Sequence, residues 1–146
     1  MLTFDHIGIL ARDVDAAAVE LGGAIDAVEA TVRFDDPGLT VSVRFLRDRS
    51  GVVYELIAPL GEASVVSGAL RKNANIINQL AYKTSSLSDD SALLKAKGYM
   101  PLGPAKPALA FGGGYVQFMM SPMGFIVELI EAPAHSHHFH PLAATP

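Results

Sequence analysis

The stretch Gly124-Phe125-Ile126-Val127-Glu128-Leu129-Ile130 reads as a buried strand, apolar on both faces, with one carboxylate in its middle. An ionised carboxylate persists in such surroundings only when it is paired or bound to a cation. The same text occurs once more, as Gly51-Val52-Val53-Tyr54-Glu55-Leu56-Ile57. Glu55 and Glu128 stand 73 residues apart in a chain of 146. The same shift, with no gap, sets Phe4-Asp5-His6-Ile7-Gly8 on Ile77-Asn78-Gln79-Leu80-Ala81. The chain reads as a duplicated module whose halves each offer ligands to one metal ion.

Element signals support the repeat. Residues 2–10 read as a strand, and Asp13 offers an N-cap for a helix through the alanine run to Leu21, stopped by Gly22-Gly23. Residues 25–34 form a second strand candidate, Asp35-Asp36-Pro37-Gly38 is a turn signal, and residues 39–46 alternate with period two. Residues 52–58 complete a βαβββ order. A linker helix is expected within 61–73. The second half repeats the order: a strand from Ile76 to Thr84, a helix capped at Ser88 or Asp89, and a proline-bearing loop from Pro101 to Pro107. Strand material follows around Leu109-Ala110-Phe111, then strands at 115–120 and at the Glu128 stretch. Residues 1–133 thus make one domain of two modules, 1–60 and 74–133. Residues 134–146, with His135, His137, His138 and His140 among alanine and proline, are expected to be a disordered tail.

Same-face neighbours on a strand lie two positions away. His6 sits between Phe4 and Gly8, Glu55 between Val53 and Ile57, Gln79 between Ile77 and Ala81, and Glu128 between Ile126 and Ile130. Four strands each bury one polar side chain in an apolar row. One imidazole nitrogen, one amide oxygen and two carboxylates can all ligate a metal. Without a metal, two glutamates would sit in central strands with no cationic residue nearby in sequence.

The rest of the composition excludes more than it selects. A net charge of −4 argues against nucleic acid, and no run of 18 apolar residues supports a membrane span. The absence of cysteine removes disulfides, thiolate metal sites and cysteine nucleophiles. With no basic start resembling a signal peptide, a cytoplasmic protein is expected. Gly112-Gly113-Gly114 is not followed by the lysine-serine/threonine pair of a phosphate loop.

The pattern resembles the vicinal oxygen chelate superfamily, which includes glyoxalase I, bleomycin-resistance proteins and methylmalonyl-CoA epimerase. The resemblance rests on Phe4-Asp5-His6-Ile7-Gly8-Ile9, Tyr54-Glu55-Leu56-Ile57-Ala58-Pro59-Leu60, Asn78-Gln79-Leu80-Ala81-Tyr82 and Gly124-Phe125-Ile126-Val127-Glu128-Leu129. It implies an α+β fold. Two tandem βαβββ modules form a cupped eight-stranded mixed sheet with helices outside, around one divalent ion. The implied ligands are His6, Glu55, Gln79 and Glu128, and the implied cofactor is Co, Ni, Mn, Mg or Zn. The quartet is closer to the glyoxalases, whereas the connecting segments are closer to the epimerases. The epimerases' additional non-ligand glutamate has no counterpart on the strand Leu39 to Leu46.

The resemblance further implies metal-assisted proton transfer next to a carbonyl, by a lyase or isomerase acting on a thioester or thiohemiacetal through an enediolate or enolate. Glu128 is the candidate base and Glu55 the alternate. A non-catalytic protein that sequesters a small molecule is the rival reading. Because helices outside the sheet want its apolar face, Arg44 is expected to look into the groove as a substrate contact, with Gln117 at the repeat-related position. A homodimer is expected, since such modules often bury an edge through a two-fold partner.

Overall fold

The computed structural model describes residues 1–74 and 76–143. Among the described residues, eleven strands and three α-helices follow one another in the order β1 Thr3–Leu10, α1 Val14–Ala24, β2 Ala27–Ala30, β3 Phe34–Asp36, β4 Val41–Asp48, β5 Val53–Pro59, α2 Ser67–Arg71, β6 Ile77–Lys83, α3 Leu87–Ala96, β7 Met100–Pro101, β8 Lys106–Pro107, β9 Tyr115–Met120, β10 Ile126–Glu131 and β11 His140–Pro141. All strands join one mixed sheet in the order β11-β2-β4-β5-β1-β6-β10-β9-β7, with β3 beside β4 and β8 beside β9.

The repeat is visible strand by strand. β1, α1, β2, β3, β4 and β5 recur as β6, α3, β7, β8, β9 and β10, each within two residues of the 73-residue shift. Each half therefore carries one strand more than the expected βαβββ. The 25–34 stretch stops at Ala30, and Phe34–Asp36 pairs separately with β4. Residues 109–111, expected as strand, form a 3-10 turn closed by Gly112 at φ 63°. The linker helix shrinks to α2.

Local chemistry recurs with the same period. Asp13 caps α1 by accepting from the Ala16 N–H at 2.7 Å, and Ser86 caps α3 through the Asp89 N–H at 3.3 Å. The second cap thus lies two residues before the earlier of the expected positions. Before β5, Asp48 Oδ1 accepts the N–H groups of Ser50 and Val52 at 2.9 and 3.0 Å. Before β10, Ser121 Oγ accepts those of Met123 and Phe125, both at 3.2 Å. Gly51 and Gly124 take φ 91° and 92° in these turns, a region that side chains other than glycine's rarely tolerate.

On the convex face α1 covers Leu46, Leu56 and Ala58 with Val14 and Ala18, and Leu87 of α3 packs with Met119, Val127 and Leu129. Leu56 and Leu129 are fully buried, each contributing about 1.5–3 kcal/mol through removal from water. The concave face holds the larger core of Val41, Val43, Phe45, Phe111, Val116 and Ile130. β4 and β9, with four strands between them in the sheet, line one cavity there, so the sheet is cupped. Across the cup, Asp36 Oδ2 accepts the Leu109 N–H at 3.0 Å, joining two positions related by the repeat.

The tail departs from expectation. Residues 144–146 lie outside the described residues, but β11 pairs antiparallel with β2 and the Leu142 N–H bonds the Val28 carbonyl at 2.9 Å. The Phe139 ring lies 4.4 Å from the Arg47 guanidinium carbon. Phe139 among the histidines, with Leu142 beyond it, gives this segment an apolar side to bury, which its overall composition conceals.

Candidate metal centre

Four central strands position the site. β1 and β6 run antiparallel at the middle, β5 lies parallel to β1 and β10 parallel to β6. His6, Glu55, Gln79 and Glu128 all point from these strands into the cup, and all four are buried. Their room comes from small residues. In the β1–β6 pairing, Gly8 stands opposite Gln79 and Ala81 opposite His6. A Cβ on Gly8 would meet Gln79 Cγ at 2.4 Å, so only glycine leaves space for that side chain.

The polar atoms converge. His6 Nε2 touches Glu55 Oε2 and lies 3.4 Å from Glu128 Oε2. Gln79 Nε2 donates to Glu128 Oε2 at 2.7 Å and lies 3.4 Å from Glu55 Oε2. The ligand atoms of His6, Glu55 and Glu128 all fall within 4.8 Å of one another. His6 Nε2 is buried without a hydrogen bond of good geometry. A half-turn of the Gln79 amide would present its oxygen instead. One imidazole nitrogen, two carboxylates and one amide oxygen around a common point fit a divalent cation.

Electrostatics point the same way. Burial pushes the Glu128 carboxyl up and Glu55 adds to it, against the opposing pull of His6, leaving it at about 7. Burial disfavours charge on His6, but Glu55 beside it and bonds to Asp5, Glu128 and Glu55 outweigh that and raise its pKa well above the usual value. Protons hold this cluster together where a cation would replace them.

The preceding residues are not where strand alternation puts them. The β1–β6 register skips at Asp5, between the Phe4–Tyr82 and His6–Ala81 pairs, and again at Asn78, between Gly8–Gln79 and Ile9–Ile77. These two bulges are 73 residues apart. The first turns Asp5 towards His6, whose Nδ1 lies 2.7 Å from Asp5 Oδ2. His137 Nε2 of the tail reaches the same oxygen at 2.9 Å. Burial alone would raise the Asp5 pKa, but the bonds and charges of His137 and His6 hold it far below the carboxylate range. Period-two reading misses both Asp5 and His137, because a bulge changes the face and a tail carries no period.

A cavity of about 430 Å³ opens above the cluster, with Glu55, Gln79 and Glu128 on its floor and walls including Val41, Val43, Ile57, Phe111 and Phe118. Asp36 also lines it, its two oxygens taken by the Leu39 and Leu109 N–H groups. Arg44 and Gln117 do not reach it. Arg44 bonds the Thr31 carbonyl at 2.9 Å and Asp15 of α1 at 3.1 Å. Gln117 accepts from Ser91 of α3 at 2.9 Å and donates to the Gly103 carbonyl at 3.1 Å. The expectation that the polar face of β4 looks inward is corrected. Val41, Val43 and Phe45 face the cup because its interior is apolar. Arg44 turns to the helix side, where the short α1 supplies Asp15 as a partner.

Known proteins are similar to this chain in sequence and fold. A sequence profile described as the glyoxalase/bleomycin resistance protein/dioxygenase superfamily matches residues 5–118. The chain is 31% identical over 116 residues to an ethylmalonyl-CoA/methylmalonyl-CoA epimerase of Cereibacter sphaeroides, covering 79% of this chain and 85% of that protein. A hypothetical protein from Bacillus halodurans C-125 superposes with a TM-score of 0.78 at 22% identity, covering 94% of this chain and 99% of its own, a likeness of fold. A variant of methylmalonyl-CoA epimerase from Streptomyces coelicolor, solved with 2-nitronate-propionyl-CoA, gives a TM-score of 0.75 at 26% identity, covering 94% of this chain and 100% of that one.

Proposed function

The chain belongs to the glyoxalase/bleomycin resistance protein/dioxygenase superfamily, and from that premise we propose that it is an epimerase-like enzyme moving a proton at the carbon beside a thioester carbonyl. The observation that carries this reading is the pair of buried carboxylates, Glu55 and Glu128, meeting at His6 on the floor of an apolar cavity. A divalent cation would be held by His6, Glu55, Gln79 and Glu128. Bound there, it supplies Lewis acidity towards the oxygens of an enolate.

The remaining work falls to side chains. Glu128 takes the proton from the substrate carbon; without the cation, the Gln79 amide donates to it at 2.7 Å. Glu55 is the second carboxylate in reach. The aliphatic and aromatic walls keep water from the developing charge, so each polar contact counts for more than it would in water. β4 presents Val41, Val43 and Phe45 to the cup, which leaves the transfer to the floor carboxylates. The substrate class we assign is an acyl-CoA thioester, supported by the epimerase relative. We extend the reading to a homodimer, supported by the open edge at β7, where Met100 is exposed; sedimentation equilibrium checks it.

The test is metal content together with proton–deuterium exchange on methylmalonyl-CoA. One equivalent of cation per chain and exchange at the α-carbon are expected. Metal bound without exchange on this or other acyl-CoA thioesters would overturn the catalytic reading and favour sequestration.

A further inference from the structure

Outside the four ligand positions, one chain of contacts reaches the centre from the tail, more than a hundred residues away in sequence. Asp5 Oδ2 accepts from His6 Nδ1 at 2.7 Å and from His137 Nε2 at 2.9 Å, so one carboxylate oxygen joins the first strand to the tail. The other oxygen has Lys83 Nζ at 3.4 Å, and Lys83 in turn donates to the His135 carbonyl of the tail. Side chains of Asp5 and His137 are both less than a tenth exposed. The His137 ring lies over Phe45, 4.2 Å between centroids, and 5.5 Å from that of Phe111. Those same two rings flank His6, at 5.2 and 6.1 Å. His6 and His137 are thus packed in one aromatic frame and tied through one oxygen.

A histidine that binds a metal through one nitrogen needs the other nitrogen engaged, because that bond fixes both the tautomer and the plane of the ring. Asp5 engages Nδ1, which aims Nε2 at Glu55 and Glu128. The bulge that turns Asp5 inward leaves its carboxylate needing further partners, and the tail provides them. We propose that His137 is a positioning residue for this centre: by holding Asp5, the docked C-terminal segment fixes His6 for cation binding. The other tail histidines do not share the role. Among the described residues the only groups of histidine or acid with converging ligand atoms are Asp5–His6–His137 and His6–Glu55–Glu128. His138 is exposed.

This inference rests on the metal reading of the site, and the experiment separates the two. Cobalt(II) affinity and absorption spectrum are measured on the full chain and on H137L, H137Q, H138A, D5N and the D5N/H137L double variant. Leucine keeps the packing on Phe45 but cannot donate, whereas the glutamine amide can. About a tenfold loss of affinity with an altered spectrum is expected for H137L, recovery to within threefold for H137Q, and no change for H138A. The double variant should bind no more weakly than D5N, since His137 acts through Asp5. If the wild type takes no cobalt, the reading of the site fails and this inference with it. A wild type that binds cobalt while H137L matches it, or additive losses in the double variant, overturns the positioning role alone. Should H137L not fold, the comparison of H137Q with a donor-free H137M carries the same decision.

Discussion

The two halves of the sheet share a frame and differ in what fills it. At equivalent places stand His6 and Gln79, Asp5 and Asn78, Gly8 and Ala81, Phe45 and Phe118. In the first half the imidazole is backed by an anion and the tail covers Phe45, which is fully buried. In the second half the amide has Asn78 as its neighbour, and Phe118 lines the open cavity. Duplication supplies four inward positions at no cost in register. Departure from the duplicate gives the first half a closed, charged support in Asp5 and His137, while the cavity is lined by both halves.

The largest test of that contrast exchanges the two carboxylates in turn. Glu128→Gln should lower α-proton exchange by roughly 10²–10⁴-fold, the usual worth of a positioned base, with folding intact by circular dichroism. Glu55→Gln should act first on metal affinity. Equal losses in exchange at equal metal loading would erase the distinction drawn between the halves.

A pH series comes next. Glu128 in the cation-free protein titrates at about 7, so below that pH an incoming cation must displace its proton as well as any on His6. Metal affinity should therefore fall on acidification by about tenfold per pH unit for each proton displaced, with the slope steeper below 7, where Glu128 adds its proton to that of His6. Titration calorimetry at pH 6 and pH 8 reads this directly, and a flat profile would contradict it.

Smaller effects separate Gly8 from Ala81. Gly8→Ala should cost about 1–3 kcal/mol through overpacking against Gln79, and should weaken metal binding with it. Ala81→Gly should cost about 0.5–1 kcal/mol through chain entropy and about 0.8 kcal/mol more for the buried methyl it loses, leaving the metal in place. Thermal melts with and without cation distinguish them. Smallest is the matched pair of turns. Ser121→Ala should cost about 1 kcal/mol for two lost backbone contacts. Asp48→Ala should lower the melting temperature further, since Asp48 also holds the Ser50 and Tyr54 hydroxyls.

These contrasts mark what strand periodicity can convey. The inward set His6, Glu55, Gln79 and Glu128 was readable because alternation survives within each strand and the repeat checks it twice. Asp5 was not, since one skipped residue reverses the face and nothing in the text announces the skip. Arg44 and Gln117 were placed on the wrong side by treating polarity as a sign of the ligand face. In a cup this narrow, apolar side chains fill the inside, and a polar one finds its partner on a short helix. The tail misled by composition, which counts histidines and prolines but not the order that lets Phe139 and His137 bury together. Element order came through almost whole; the short strands β3 and β8 pair with their sequence neighbours β4 and β9, too briefly to show a period, whereas β11 depends on β2, distant in the chain.

The spread of the ligands along the chain has a kinetic side. His6 and Glu128 lie in the first and the tenth strand, and β1 and β6 must already be paired for their side chains to meet. Contacts of such long sequence separation form late, after the local turns and helices that cost less entropy to close. The centre should therefore be the last part of the molecule to assemble during refolding, and cobalt absorbance should rise after the helical signal is complete. Metal capture would then report a finished chain topology, which a helix signal alone does not.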